Sequence, residues 1–307
     1  MKLAFCFPGQ GSLQAGMGRD IAETVPEAMG VFEEASEASG LDLRKLCFEA
    51  PLEELVDTEV QQPALVATSL AVLAALQKQG VRPDYVIRHS VGEFPALVAA
   101  ESLTTVDAIR LVRERGLAMA AAARERPGSM AAILGLDDRV VEEICEEIEC
   151  VWTANYNCPG QVVVSGENEA VDEACAAAER AGARKTVKLK VSGAFHTPLV
   201  AKAAERLRPA VDRIRLHEPV APFMSTVSAR IEPAQRIGAL LVDQVTSPVR
   251  FTQAAGELVR NNVKTFVEVG PGNVLSGLLK RIDRGVRTIP VGSRGGLRKL
   301  EDLLSAA

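Results

Sequence analysis

Residues Ile87 to Ala96 read I-R-H-S-V-G-E-F-P-A and lie between an apolar approach and an apolar exit. Pro83-Asp84-Tyr85-Val86-Ile87 has the composition of the end of a short buried strand, and Glu93 to Ala100 that of a helix. Ser90 therefore falls at a sharp strand-to-helix turn. Such an elbow exposes a hydroxyl while aiming backbone N–H groups and a helix N-terminus at the oxygen that becomes charged during acyl transfer. The usual pattern is G-x-S-x-G, in which the glycines permit close approach of strand and helix backbones. Gly92 supplies the second glycine, but Arg88 occupies the first position. Taken alone, the half-motif fits a catalytic elbow and an ordinary turn serine equally well.

The surrounding chain must decide. It has 307 residues, of which 47 % are hydrophobic, enough for a sizeable core in one large domain with an insertion, or in two domains. The net charge is −5, and the lysines and arginines are scattered, so there is no footprint for nucleic acid. Cys6, Cys47, Cys145, Cys150, Cys158 and Cys175 form no C-x-x-C pair and there are three histidines, so no metal site is expected and the thiols read as reduced core filling. The N-terminus turns polar and glycine-rich at Pro8 to Ser12 too soon for a signal peptide, and no apolar run is read as reaching membrane-spanning length. A cytoplasmic protein is expected.

Working outward, Lys2 to Phe7 reads as a buried strand that delivers the glycine-rich loop Pro8-Gly9-Gln10-Gly11-Ser12, which matches no phosphate-binding fingerprint. Helical spacing covers 26–39, 41–49, 62–79 and 106–123. Composition shifts at Arg124-Glu125-Arg126-Pro127-Gly128, and the next elements run strand 130–134, helix 139–147, strands 151–155 and 161–165, helix 169–181 and strand 184–191. That β-α-β-β-α-β order is the ferredoxin-like signature. A helix from His196 toward Leu207, a strand 220–226, helices 234–245 and 251–261, a strand 265–269 and a helix 273–282 then resume the alternation that implies a helix-covered, mostly parallel sheet. The expected fold class is α/β, an α/β-hydrolase-like sheet with an inserted ferredoxin-like subdomain; residues 1–125 and 197–307 form the large part and 126–196 the small one.

A serine nucleophile needs a base. His89 adjoins Ser90 at the turn and reads as structural, and His217 lies in a polar connection and reads as solvated. His196, in V-S-G-A-F-H-T-P-L at the junction between the two parts, is the best placed of the three, with a core or capping histidine as the alternative. Arg115 could hold a carboxylate through two parallel hydrogen bonds, although a surface arginine is the plainer reading; Arg110 and Arg113 read as surface residues.

The motifs converge on a family. In order come F-P-G-Q-G-S at 7–12, Q-P-A-L at 62–65, H-S-V-G-E at 89–93, R-G at 115–116, M-A-A-I-L-G-L at 130–136, A-N-Y-N-C-P-G-Q-V-V-V-S-G at 154–166, G-A-F-H-T-P at 193–198, Q-V-T-S-P-V-R-F at 244–251 and E-V-G-P-G-N-V-L at 268–275. Over nearly its whole length the chain resembles the malonyl-CoA:acyl carrier protein transacylases of bacterial fatty-acid synthesis, a group that also includes polyketide acyltransferase domains. The resemblance implies Ser90 as nucleophile and His196 as base, with no acidic third member, the imidazole being oriented by the backbone carbonyl of Gln244. It further implies an oxyanion hole from the backbone N–H groups of Gln10 and Val91, the malonyl carboxylate on Arg115, Gln62 in the same pocket, and Phe195 as the ring that favours malonyl over branched units. Malonyl-CoA is then a substrate, acyl carrier protein the acceptor, and no cofactor or metal is bound; a monomer that meets neither nucleic acid nor membrane is expected. Lys185, Lys188 and Lys190 are candidates for receiving the acidic carrier, an exposed strand face being their plainer reading.

Two positions depart from the pattern. Leu13 replaces a second glutamine, with consequences for loop packing rather than chemistry. Arg88 replaces glycine, and its side chain must either reach solvent or prise the strand from the helix and displace Ser90 and the Val91 N–H. A stand-alone polyketide acyltransferase, a catalytically weakened carrier-binding homologue and an esterase-like hydrolase therefore remain alternatives.

Overall fold

The computed structural model describes residues 2–305. Its strands are β1 (Leu3–Phe7), β2 (Tyr85–Arg88), β3 (Ser129–Leu134), β4 (Val151–Cys158), β5 (Gln161–Gly166), β6 (Lys185–Lys188), β7 (Phe223–Met224), β8 (Ile231–Glu232), β9 (Val249–Arg250), β10 (Thr265–Glu268) and β11 (Arg287–Pro290). They form two sheets, ordered β11-β10-β1-β2-β7-β8 and β6-β3-β5-β4-β9.

The first sheet is parallel except for its β7–β8 edge. β1 is apolar and buried at every position because both faces of the sheet are covered. Its side chains alternate: Leu3, Phe5 and Phe7 enter the larger core, packed with the helices Pro26–Ser39, Thr58–Lys78, Thr105–Glu125 and Ala201–Val211, whereas Ala4 and Cys6 enter a second cluster with Phe251–Arg260 and Val274–Ile282. At the C-terminal end of β10, both carboxylate oxygens of buried Glu268 accept from the N–H groups of Leu275 and Ser276 and so cap the helix Val274–Ile282. Parallel pairing of β1 with β2 brings the loops that follow them side by side at the same sheet end.

The smaller sheet is antiparallel over β6-β3-β5-β4. Its elements alternate with the helices Asp138–Glu147 and Asn168–Arg180 in the order read from the sequence. Ala131, Ile133, Val162 and Val164 pack under those helices. The opposite face, with Met130, Ala132 and Val163, turns toward the large part and roofs a cleft. Register shifts between Thr153 and Asn155 and between Tyr156 and Cys158 set Asn155 and Asn157 on the cleft wall. A fifth strand, β9, joins this sheet parallel to β4 although it comes from the resumed large part.

Several expectations change. The helix Thr58–Lys78 begins four residues before the expected start at Gln62 and is long and apolar enough to cross a bilayer, contrary to the reading that no run reached that length; 78 % of its most apolar window is buried in the protein, so it is a core helix. Pro63 lies inside it and cannot donate to the Glu59 carbonyl. Arg113 Nη1 donates there instead, at 2.6 Å, so Arg113 is a half-buried packing residue rather than a surface one. His196 does not begin a helix; it sits in a loop at φ 62°, and the α-helix starts at Ala201. The strand expected over 220–226 shrinks to Phe223–Met224, while β8, β9, β11 and the terminal helix Arg294–Ser305 had no counterpart in the reading.

Candidate active site

The two loops meet across a cavity of about 330 Å³. Gly9 to Ser12 form one wall, His89 and Ser90 the floor, and Phe195 and His196 the side where the small part hands back to the large one. Close approach fixes both glycines. A Cβ on Gly92 would stand 2.2 Å from the Phe7 carbonyl oxygen, and one on Gly9 would stand 2.8 Å from that of His89. Leu13 packs against the larger core, consistent with a packing role for that departure.

Ser90 and His196 are brought together from positions 106 residues apart. Ser90 Oγ lies 2.9 Å from His196 Nε2. His196 Nδ1 lies 2.9 Å from the carbonyl of Gln244 and 3.2 Å from that of Ser247. Carbonyl oxygens only accept, so Nδ1 carries the proton and Nε2 is left as the acceptor for the serine hydroxyl. Both residues hold positive φ, 47° at Ser90 and 62° at His196, a strained conformation for non-glycine residues that clusters at functional sites. Burial, followed by the field of Arg115, lowers the His196 imidazole to about 3. The ring is therefore neutral near pH 7, the form that can take a proton.

Arg115 is fully buried and lies beside the pair. Its Nη1 donates to Gln62 Oε1 at 2.5 Å, and its Nη2 donates to Ser90 Oγ at 3.3 Å and Gln244 Oε1 at 3.2 Å. All three partners are uncharged, and Arg115 forms no ion pair with a carboxylate of the described residues. A buried cation so placed is set to receive an anionic group. Gln62 is fully buried, and among the described residues its amide nitrogen reaches only Met119 Sδ, at 3.4 Å. Phe195 is buried on the cavity wall, and Val91 is buried immediately after Ser90. Gln10 lines the wall with its side-chain amide donating to Gln61 Oε1 at 2.7 Å.

Arg88 takes neither course expected of it. It remains fully buried, on the same face of β2 as Val86, and its Nη2 lies 3.1 Å from Oε2 of Glu93, itself fully buried in the first turn after the elbow. The contact is ionic rather than a well-directed hydrogen bond. Burial pushes the Glu93 carboxyl up, opposed first by Arg88 and then by Arg115. The pair spans the turn without parting Ser90 from His196.

Asn155 and Asn157, not named as site residues from the sequence, line the cavity. Asn157 Oδ1 lies 2.9 Å from His89 Nε2, fixing the His89 ring beside Phe251; burial lowers that histidine to about 4. His89 is thus a neutral wall residue, as its structural reading expected, while His217 is exposed. The N-Y-N run at 155–157 was visible, but a bulge, which spacing does not reveal, turns both asparagines inward. Of the three lysines, Lys190 lines the cleft mouth, and Lys188 is held by Asp172 at 2.6 Å on the small part. No group of three or more potential metal ligands occurs among the described residues.

A two-loop elbow, a Ser–His pair and a buried arginine are the parts that serine-dependent acyl transfer needs. The model of the acyl transferase domain matches residues 4–292, and the chain belongs to that family. It is 43 % identical over 295 residues to the malonyl CoA-acyl carrier protein transacylase of Bacillus subtilis, covering 94 % of this chain and 93 % of that one. To the Escherichia coli K12 transacylase of the same name it is 41 % identical over 286 residues, covering 92 % and 93 %. The crystal structure of the malonyl-CoA:acyl carrier protein transacylase of Xanthomonas oryzae superposes with a TM-score of 0.95 at 42 % identity, covering 98 % of each chain. A malonyl-transacylase in complex with its type II PKS acyl-carrier protein also superposes at 0.95, with 38 % identity over 98 % of this chain and 100 % of that one.

Two outcomes follow. Glu93→Leu leaves the Arg88 guanidinium buried and unpaired, at a cost of about 3–5 kcal/mol, while Arg88→Leu/Glu93→Leu together cost less than either single change; urea unfolding of the three variants measures this. Because burial and Arg115 keep His196 neutral, kcat/KM for an acyl-CoA stays level from about pH 8 to about pH 5. An acid limb with its midpoint near the ordinary histidine value of about 6.5 would show that the imidazole is not so depressed.

Proposed function

We propose that the protein transfers malonyl from malonyl-CoA to the phosphopantetheine thiol of acyl carrier protein in fatty-acid synthesis, by a ping-pong route through a malonyl ester on Ser90. The observation that carries this reading is a fully buried arginine whose partners are all neutral, 3.3 Å from the hydroxyl of a histidine-paired serine. Malonyl is an acyl group with a free carboxylate, and Arg115 supplies the charge it needs.

His196 Nε2 takes the Ser90 proton as Oγ attacks the thioester carbonyl, and returns it to the departing coenzyme A sulfur. The Nδ1–H bonds to the carbonyls of Gln244 and Ser247 keep the ring in that tautomer, as the carboxylate of a triad would. The N–H groups of Gln10 and Val91 stabilise the oxyanion, in keeping with the meeting of their loops at the cavity. In the second half-reaction His196 deprotonates the carrier thiol as its sulfur attacks the ester carbonyl, and returns that proton to Ser90 Oγ as the ester bond breaks. Gln62 lines the carboxylate pocket beside Arg115, and the buried Phe195 ring crowds an α-methyl substituent, worth a few kcal/mol at most in selectivity. The reaction uses no metal or cofactor.

The proposed division is a large α/β-hydrolase-like part, residues 1–125 and 197–307, and a ferredoxin-like part, 126–196, supported by the strand orders of the two sheets. The protein acts as a cytoplasmic monomer that requires neither membrane nor nucleic acid. The partner is acyl carrier protein, in keeping with the relative that was solved with its carrier, and Lys190 at the cavity is the candidate for receiving it.

Steady-state transfer to carrier protein tests the reading. Malonyl-CoA is used in strong preference to acetyl-CoA, and Arg115→Met lowers kcat/KM for malonyl-CoA by roughly a hundredfold or more while erasing that preference. Equal use of the two donors by the unaltered protein would refute it, and thioester hydrolysis without transfer would favour an esterase.

A further inference from the structure

Gln244 is fully buried, and its two polar ends have different fates. Its main-chain carbonyl receives His196 Nδ1, and its side-chain Oε1 receives Arg115 Nη2. The orientation of the amide is set chemically: turned about, its NH2 would face another donor. The NH2 group that results has no hydrogen-bond partner among the described residues. Buried donors are nearly always satisfied, and one left over beside a catalytic serine calls for an acceptor from outside the chain. Arg115 Nη2 touches both Gln244 Oε1 and Ser90 Oγ. Arg115 Nη2 is thus the common neighbour of the Ser90 hydroxyl, where the acyl carbon would sit, and of the Gln244 side chain.

We infer that the side-chain amide of Gln244 is a specificity-determining donor that, with Arg115, recognises the carboxylate of the acyl group. This rests on the reading that the acyl group carries a carboxylate. It separates two duties within one residue: the main chain orients the imidazole, and the side chain selects the substrate. A carboxylate with its several acceptor sites satisfies both the guanidinium and the amide. An acetyl group satisfies neither: it leaves the guanidinium without an anion and the amide without an acceptor, which is how a polar pocket rejects an analogue that lacks the polar group.

The measurement is the ratio of kcat/KM for malonyl-CoA to that for acetyl-CoA in the unaltered protein, Gln244→Leu and Gln244→Glu. Gln244→Leu lowers the ratio roughly tenfold, through a rise in KM for malonyl-CoA. Gln244→Glu, of nearly the same shape, places a carboxylate on Arg115 that displaces and repels the substrate's own, and lowers the ratio on the order of a hundredfold. A fall in both donors together, with the ratio kept, would assign Gln244 to supporting His196 alone and overturn the inference. An unchanged ratio would also overturn it and mean that the amide is satisfied by water. Should Gln244→Leu fail to fold, the nearly isosteric Gln244→Glu decides alone by the same criteria. Failure of the underlying reading is distinguishable, because the unaltered protein would then show no preference for malonyl-CoA.

Discussion

Arg115 is a full positive charge sealed from solvent among two amides and a hydroxyl. Such a charge is costly unless an anion joins it, so the helix that carries it, Thr105–Glu125, must be held firmly against the sheet and against Thr58–Lys78. The close approach of those two helices is permitted by Gly116, where a Cβ would stand 3.0 Å from the Glu59 Cα, and Arg113 ties them by completing the hydrogen bond that Pro63 breaks. The same charge acts on the chemistry. After burial, it is the next largest influence that lowers the affinity of His196 for a proton and keeps the imidazole in its accepting form. In the proposed mechanism one guanidinium thus recognises the acyl group and helps to keep the base neutral.

The second cation, Arg88, is only partly answered by Glu93 within the elbow: after burial its field also lowers Arg115, and it contributes to lowering His196 behind burial and Arg115. Buried pairs of this kind seldom raise stability over an apolar alternative, yet losing one member is costly, so the two residues are to be understood as a unit. With the pair in place the turn is formed: Ser90 holds its positive φ and its contact with His196. What holds the turn in place is the packing of Gly92 on the Phe7 carbonyl and the parallel register of β1 with β2.

Much of this architecture was legible in the sequence. The order of elements in the small part and the parallel core of the large one follow from period and from continuous apolar runs such as that at 3–7. Ser90, His196, Arg115, Gln62 and Gln10 could be named from motifs, and they do converge on one cleft or on the network behind it. The remainder depended on contacts made in space. Nothing local signals that Arg113 repairs a proline-broken bond 54 residues away, that Asn157 fixes His89, or that Arg88 finds Glu93 instead of solvent. Very short strands such as β7 and β9 owe their existence to neighbours, and their two-residue lengths carry no periodicity of their own. His196 was expected to open a helix because the sequence after it is helical; its left-handed backbone reflects the demand that its ring meet both Ser90 and Gln244.

In the proposed reaction Ser90, two residues from the buried Arg88, becomes acylated and passes the group on. Intact-protein mass spectrometry after mixing with malonyl-CoA, followed by addition of acyl carrier protein, tests it directly, with Ser90→Ala as control. One malonyl group per chain is expected, located on Ser90, absent from the variant and lost to the carrier protein. A folded protein that takes up no malonyl, or that takes it up with Ser90 replaced, would contradict it.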